Sequence, residues 1–171
     1  ERLYPGIPKC PIRDRKQNPK CPFHSELDTL KSLFSGELDQ SCLEKVQAYI
    51  DDTLVLEGLN DLVLSRELVS SAIRYRIWVD DKLLRSQVVS DSLVIATPFG
   101  STGYFQSITH GNFRTGVGLA FNNAMDGSNF TVLPSMAKIK VQILRGPVLL
   151  VADNKDRKST RLNSSHCTPS R

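Results

Sequence analysis

The spacing of apolar residues changes along the chain from a helical period to a period of two. Between Ser25 and Gly36, apolar residues recur at the three- and four-residue steps of an α-helix. Ser25 can cap the first turn, and Gly36 can end the last one. We therefore expect one short amphipathic helix in this segment. Its apolar face is formed by Leu27, Leu30, Leu33 and Phe34.

After Gly36, apolar and polar residues alternate. The alternation is clearest over residues 73–79 and predicts a strand with one buried and one polar face. Asp80 and Asp81 can form a tight turn into a second strand over 82–90. Further strands are predicted over 43–50, 52–58, 61–66, 92–97, 137–144 and 147–152. Many short strands with few helices indicate a sandwich, so the expected fold class is mainly β, and α+β overall.

Both ends of the chain differ from this central pattern. Residues 1–25 carry five of the nine prolines, too many for a continuous helix or a central strand, so we expect a loop or a connection between domains. Residues 156–171 have no apolar periodicity, and DRKSTRLNSSH resembles the translation of a sequencing adapter. We interpret that segment as a foreign, disordered tail. The first residue is Glu1, and we interpret both ends as truncations.

The tail changes how the charge is understood. The chain carries a net charge of +4, but residues 156–171 hold four Lys or Arg and one Asp, so the remainder carries +1. The basic run Arg13–Lys20 could bind phosphate, but a short basic stretch rich in Pro and Asn is more typical of a solvated loop. We therefore expect no nucleic-acid partner. No stretch approaches the about 20 apolar residues of a membrane helix, and no signal peptide is recognisable. We expect no membrane association and a cytoplasmic location.

The cysteines do not form a recognisable framework. Cys10, Cys21 and Cys42 precede the tail, an odd number without CxxC spacing. Cys10, Cys21 and His24 could supply three zinc ligands, but no fourth ligand lies nearby. We predict reduced structural cysteines and no metal site. Neither His24 nor His110 pairs by motif with a Ser or Cys nucleophile, so a hydrolase is not indicated.

Two polar segments interrupt the predicted strands where a ligand could bind. Asn60 and Asp61 stand next to each other at the start of an apolar strand and offer an amide and a carboxylate to a ribose diol. Alone, Asn-Asp is equally typical of a turn. The run SDSLVIATPFGSTGY leads an apolar strand into Gly100–Gly103, a Gly-rich turn that exposes N–H groups and hydroxyls.

Taken together, LND and SDSLVIATPFGSTGY resemble the paired signatures of NAD kinases, commonly Asn-Glu and then Gly-Asp-Gly, a strand and Thr-Pro-x-Gly-Ser-Thr-x-Tyr. The continuations SITHGNFRTGVGLAFNN and RGPVLLVADN resemble archaeal-type members, and the similarity covers about residues 55–154. The resemblance implies a C-terminal β-sandwich that binds the dinucleotide over residues 41–155. It also implies a remnant of an N-terminal α/β kinase domain, loop and helix, over residues 1–40.

The same resemblance implies roles for individual residues. Asn60 and Asp61 would bind the adenosine ribose of NAD, and Thr102 and Gly103 would lie beside the adenine. Asp91, Tyr104 and Ser107 would line the nicotinamide side, partly across a subunit interface of a homo-oligomer. The substrates implied are ATP and NAD, with NADP as product and a divalent cation, Mg²⁺, assisting the transfer.

The sequence departs from the family pattern at three places. Asp61 stands where Glu is usual, and Ser92 stands where the second Gly of Gly-Asp-Gly is usual, which would be unfavourable at a positive φ. The family's Gly-Gly-Asp-Gly loop, with the aspartate that activates the 2′-hydroxyl, is not in this sequence. We therefore expect that motif before Glu1, no catalytic residue in this chain, and no activity from it alone. Asp126–Ser128 is interpreted as a turn.

The sequence thus predicts part of an NAD kinase that makes NADP from NAD and ATP. One alternative is a non-catalytic dinucleotide-binding or oligomerisation module, because the Gly-Gly-Asp-Gly loop is missing. Another is a related lipid or sugar kinase, against which the ATPFGSTGY block argues. Arg145 and Asp153 flank the last predicted strand, where an ion pair between strand ends is the simplest expectation.

Overall fold

The computed structural model describes residues 6–12, 25–153, 160–162 and 166–169. Contacts between Cα atoms divide the chain into two units, Glu1–Cys42 and Leu43–Arg171. Each unit is described by itself below. The described part of the chain contains no helix long and apolar enough to cross a membrane. The basic run over residues 13–20, Cys21 and His24 lie outside the described residues.

The first unit contains the predicted helix, α1, over Glu26–Ser35. Ser25 caps it, since its hydroxyl oxygen accepts a hydrogen bond from the N–H of Asp28 at 3.3 Å. Gly36 ends it in the left-handed conformation, with φ 74°. The helix prediction is confirmed at both ends. No residue of α1 is buried, and Phe34 is 86% exposed.

The second unit is built from short antiparallel strands. Its described elements, in chain order, are β1 (Val46–Ile50), β2 (Thr53–Gly58), β3 (Asp61–Arg66), β4 (Ile73–Val79), β5 (Lys82–Ser90), β6 (Ser92–Ala96), a 3-10 turn (Gly100–Thr102), α2 (Tyr104–Thr109), β7 (Val117–Asn122), β8 (Phe130–Leu133), β9 (Ile139–Arg145), β10 (Val148–Ala152), β11 (Thr160–Leu162) and β12 (His166–Pro169). They form a first sheet in the order β2-β1-β12-β9-β4-β5 and a second sheet in the order β11-β10-β3-β6-β7-β8.

The two sheets pack face to face around one apolar core. Because side chains alternate across a strand, each sheet turns every second residue inward. The core residues of the first sheet include Ala48, Leu56, Tyr75, Ile77, Val88 and Val141, and those of the second include Leu64, Leu93, Ile95, Leu119 and Leu150. Burial raises the pKa of Tyr75, whose hydroxyl is hydrogen-bonded to Ser90 Oγ at 2.9 Å. The predicted mainly β sandwich is confirmed.

The predicted strands lie close to the observed ones, but β7 and β8 were not predicted. The sequence of β7, VGLAFN, does not alternate because both of its faces are covered, so five of its six residues are buried. The strand β8 has only four residues, and its sequence FTVL offers little pattern. Periodicity therefore misses strands that are buried on both faces or very short.

Two short strands lie within the segment that is predicted to be a foreign, disordered tail, and that prediction is not tested here. Strand β11 pairs with β10 at the edge of the second sheet, and β12 lies between β1 and β9 in the first. Pairing of this kind uses main-chain N–H and C=O groups, so it does not require an apolar pattern. Whether the segment is foreign stays a prediction.

The outer face of the second sheet is only partly covered. Helix α2 packs there through Phe105, which lies in a small apolar cluster with Val94, Ala96 and Ala120. Phe105 also makes edge-to-face contacts with Phe113 and Phe130, at ring-centroid distances of 5.0 and 5.9 Å. The candidate site lies on the same face, over β3 and β10.

Candidate functional site

An open groove of about 580 Å³ lies on the outer face of the second sheet, and we call it the Asp61 groove. Its floor follows from the register of β3 on β6, which pairs Asp61 with Ala96, Val63 with Val94 and Ser65 with Ser92. Residues one step along each strand face the core instead. The groove is lined by Asn60, Asp61, Val63, Ser65, Phe99, Gly100, Thr102, Gly103, Tyr104, Val151 and Asp153.

The turn before β3 is held by the carboxylate of Asp153. Its Oδ2 accepts the N–H of Leu59 at 3.0 Å, and its Oδ1 accepts those of Asn60 at 2.7 Å and Asp61 at 3.3 Å. Asp153 in turn donates its own N–H to the carbonyl of Asp61 at 3.1 Å. We expected Asp153 to form an ion pair at a strand end. The structure shows it instead binding main-chain N–H groups, which fixes Asn60 and Asp61 in place.

The Gly-rich segment after β6 packs directly on this turn. The hydroxyl of Thr97 donates to the carbonyl of Leu59 at 2.6 Å and accepts the N–H of Gly100 at 3.1 Å. A Cβ on Gly100 would lie 2.1 Å from the carbonyl oxygen of Asn60, so only glycine fits there. The two segments singled out in the sequence, LND and ATPFGSTGY, therefore form one unit.

Asp61 is a carboxylic acid in an unusual environment. Asp61 is the first residue of β3, a strand paired on both sides, and it is only 7% exposed. Burial, and secondarily the negative charge of Asp153, raise the pKa of Asp61 to about 6. Ionised Asp61 is thus held next to an open groove at a cost to the fold. Perturbed groups of this kind mark candidate functional sites.

Tyr104 joins the start of α2 to the sheet. Its hydroxyl accepts a hydrogen bond from Asn122 Nδ2 at 3.2 Å and lies 3.3 Å from Ser92 Oγ. Ser92 is in the extended strand β6, outside the residues with positive φ, so the expected penalty for a Cβ at this position does not arise. Ser107 donates its hydroxyl to the carbonyl of Tyr104 at 2.7 Å.

Asp91 lies between β5 and β6 and is fully engaged. Its carboxylate forms an ion pair with Arg66, with Nη1 to Oδ1 at 2.8 Å, and accepts a hydrogen bond from Asn123 Nδ2 at 3.1 Å. Its main chain also binds on both sides, since its N–H donates to Asn122 and its carbonyl accepts from Arg66. Asp91 is therefore part of a surface network.

Five of the seven residues expected to bind the dinucleotide line the Asp61 groove: Asn60, Asp61, Thr102, Gly103 and Tyr104. Asp91 and Ser107 are not among its lining residues. The structure adds Val63, Ser65 and Val151, whose outward positions follow from strand alternation once the register is known. It also adds Phe99, which is 52% exposed. The sequence signal for Phe99 was only its place directly before the Gly-rich turn.

The remaining sequence predictions concern turns and metal ligands. Asp126–Ser128 is a turn as predicted, because Asp126 Oδ1 accepts the N–H of Ser128 at 3.0 Å, which lowers the pKa of Asp126. Cys10 and Cys42 are free thiols. Within the described ranges, no group of three or more His, Cys, Asp or Glu side chains could hold a metal ion. The zinc hypothesis for Cys10, Cys21 and His24 falls largely outside those ranges.

Comparisons with known proteins agree with the motifs. The family model for the ATP-NAD kinase C-terminal domain matches residues 59–166, a range that extends into the predicted foreign tail. An NAD kinase of Clostridium beijerinckii is 47% identical over 49 residues, which are 29% of this chain and 17% of that protein. An NAD kinase of Chromobacterium violaceum is 43% identical over 47 residues, 28% of this chain and 16% of that protein.

Solved structures share the fold at lower identity. An NAD kinase from Archaeoglobus fulgidus, solved in complex with ATP, superposes with a TM-score of 0.66 and 22% identity, covering 85% of this chain and 56% of that one. Yeast NADH kinase, solved with NADH, gives a TM-score of 0.68 and 17% identity, covering 84% of this chain and 44% of that one. The chain thus spans about half the length of these structures.

Proposed function

Because the chain belongs to the ATP-NAD kinase family, whose C-terminal domain it carries, we propose that it is the dinucleotide-binding part of an NAD kinase. The reaction proposed for the whole protein is transfer of the γ-phosphoryl group of ATP to the 2′-hydroxyl of the adenosine ribose of NAD, which gives NADP. The observation that carries the proposal is the joining of Asn60 and Asp61 to Thr102–Tyr104 in a single groove.

In this proposal Asn60 and Asp61 bind the ribose diol. An ionised carboxylate accepts hydrogen bonds from vicinal hydroxyls, and an amide can both donate and accept. The main chain of the turn is fixed by Asp153 and packed against Gly100, so the two side chains start from a rigid backbone. Rigid presentation lowers the entropy lost when the ligand binds.

The Gly-rich wall of the Asp61 groove would hold the adenine. Thr102 and Gly103 supply polar groups, while the exposed ring of Phe99 gives the apolar surface that ligand sites commonly combine with a few polar groups. Tyr104, fixed by Asn122 and Ser92, would extend the site towards the nicotinamide side. Asp91 and Ser107 would contribute there, partly across the interface of a homo-oligomer.

Phosphoryl transfer depends mainly on positioning and on stabilisation of developing charge. This chain would position the acceptor hydroxyl, and the Gly-Gly-Asp-Gly aspartate that would activate it is not in the sequence. A divalent cation, Mg²⁺, would neutralise charge on the phosphates. The residues of the groove do not fit a metal site, because Asp153 is engaged by three N–H groups and Asp61 stands alone. No step through the metal is assigned to this chain.

The test is a binding titration of the chain with NAD, NADP and ATP, in which the heat of binding is measured by calorimetry. We expect saturable binding of NAD or NADP, weakened about tenfold in Asp61→Asn, because one charge-assisted hydrogen-bonding group is lost. Asp52→Asn is the matched control. It removes the same charge from an exposed turn residue with φ 60°, which asparagine tolerates. Equal affinities in the two variants would contradict the assignment of Asp61.

A second measurement separates the enzyme from the non-catalytic module. A longer coding sequence that adds a Gly-Gly-Asp-Gly segment should form NADP from NAD and ATP, and Asp61→Ala should slow that turnover about tenfold. A dinucleotide-binding protein that forms no NADP even with the longer sequence would instead support the module.

A further inference from the structure

A second pocket lies in the first sheet and plays no part in the function proposed above. It has a volume of about 550 Å³ and sits where β4, β5 and the end of β9 meet the connection between β7 and β8. We call it the Arg74 pocket. Its lining residues are Ala72, Arg74, Gln87, Val89, Met125, Asp126 and Arg145.

Two arginines on neighbouring strands line this pocket. Arg74 on β4 and Arg145 on β9 are directly paired in the register of the two strands, and both line the pocket. Like charges placed directly opposite one another on neighbouring strands are destabilising. Such a pair is expected either to be neutralised or to serve a ligand.

The hydrogen bonding of Arg74 is incomplete. Within the described residues its Nε is buried and has no hydrogen-bond partner. Arg76, two residues along the same strand, shows the usual arrangement, since its Nε donates to the carbonyl of Ser86 at 2.9 Å and its guanidinium lies over the ring of Trp78. A buried guanidinium nitrogen without an acceptor is costly, so an acceptor supplied by a ligand or by water would stabilise it.

The acid in the pocket does not balance both arginines. Asp126 is the one carboxylate among the lining residues, and its Oδ1 is already bound to the N–H of Ser128. The lining side chains therefore carry one net positive charge. Ala72, Val89 and Met125 add apolar surface beside the charged groups, and Gln87 adds an amide.

We propose that the Arg74 pocket binds a small organic anion, with its carboxylate or phosphate group held between Arg74 and Arg145. Guanidinium groups match the two oxygens of such anions with paired hydrogen bonds, which explains why two arginines are needed at one point. The less polar part of the ligand lies against Val89 and Met125. The volume of the pocket suits a small metabolite.

The test is a titration of the full chain with inorganic phosphate in one series and citrate in another. Binding is measured by NMR, from the shifts of the backbone amide signals of Arg74, Val89 and Arg145. These signals separate the pocket from the Asp61 groove. We expect saturable shifts with at least one probe, and the probe that binds identifies the anion as a phosphate or a carboxylate. Arg145→Gln should weaken binding about tenfold, since it removes a charged donor from an exposed position.

Arg76→Gln is the matched control, because it removes the same charge from the same sheet outside the pocket. It should change affinity by less than about twofold, the effect of screened charge alone. Arg74→Gln should behave like Arg145→Gln. Equal weakening by the pocket and control variants, or shifts that do not saturate with either probe, would overturn the proposal. Neither outcome depends on NAD binding.

Discussion

Two aspartates named from the same sequence motifs, Asp61 and Asp91, lie in opposite chemical environments. Asp61 is buried beside an open groove, and its pKa is raised to about 6 by burial and by Asp153. Asp91 is paired with Arg66 and Asn123 in a surface network. The fold therefore keeps one carboxylate poised at a cost in stability and uses the other to connect neighbouring strands. Residue type alone does not tell these roles apart.

The difference arises from what each backbone contacts. The Asp61 turn is enclosed by the Gly-rich segment on one side and Asp153 on the other, both of which bind its main chain. The Asp91 connection is bound by residues of the adjacent strands, Arg66 and Asn122. Enclosure removes water from Asp61, whereas Asp91 gains a positive partner.

The substitution with the largest expected effect is Gly100→Ala, which disturbs the turn that holds Asp61 and leaves the surroundings of Asp91 unchanged. Gly100→Ala places a Cβ 2.1 Å from the carbonyl oxygen of Asn60, so the turn must move. We expect a loss of about 3 kcal/mol in the free energy of unfolding, measured by urea denaturation, together with loss of dinucleotide binding. Gly111→Ala is the control, because its Cβ would meet nothing within 4 Å. If the two variants are equally stable, the Gly-rich segment does not support the turn.

The stability of the protein should depend on pH through the ionisation of Asp61. A folded-state pKa near 6, above the usual 3.8, means that the folded protein keeps a proton on Asp61 that the unfolded chain has already lost. The stability that depends on Asp61 is therefore highest below pH 3.8 and falls as the pH rises towards 6. Relative to Asp61→Asn, the wild-type protein should lose stability over this interval.

The measurement is urea denaturation of both proteins at several values between pH 4 and 7. Asp61→Asn should be at least as stable as wild type at neutral pH while binding NAD less well. A constant difference between the two proteins across this range would mean that Asp61 titrates normally and that its burial has no electrostatic consequence.

Much of the Asp61 groove could be predicted from sequence because its motifs are local. LND and ATPFGSTGY mark the turn and the Gly-rich segment, and strand alternation separates Leu62 from Val63. The function of Asp153 could not be predicted, since its partners at Leu59–Asp61 are some ninety residues away in the chain. Strand β7 was missed because burial on both faces removes the alternation.

The Arg74 pocket was also not predictable. Alternation places Arg74 on the polar face of β4, where an exposed arginine is ordinary. What sets it apart is the register with β9, which puts Arg145 directly opposite. Pairing between strands that lie far apart in the sequence is fixed by packing of the whole sandwich. The pattern of residues along each strand therefore does not predict this register.

The smallest expected effect concerns Asp91. The side chains of Arg66 and Asp91 are 32% and 20% exposed, so their ion pair is partly screened by water. Asp91→Asn should lower the free energy of unfolding by about 1 kcal/mol or less, and a double-mutant cycle with Arg66→Gln should assign most of that loss to the pair. A loss in the free energy of unfolding as large as that of Gly100→Ala would show that the Asp91 network is also required for the sandwich to form. The two aspartates would then differ in function alone.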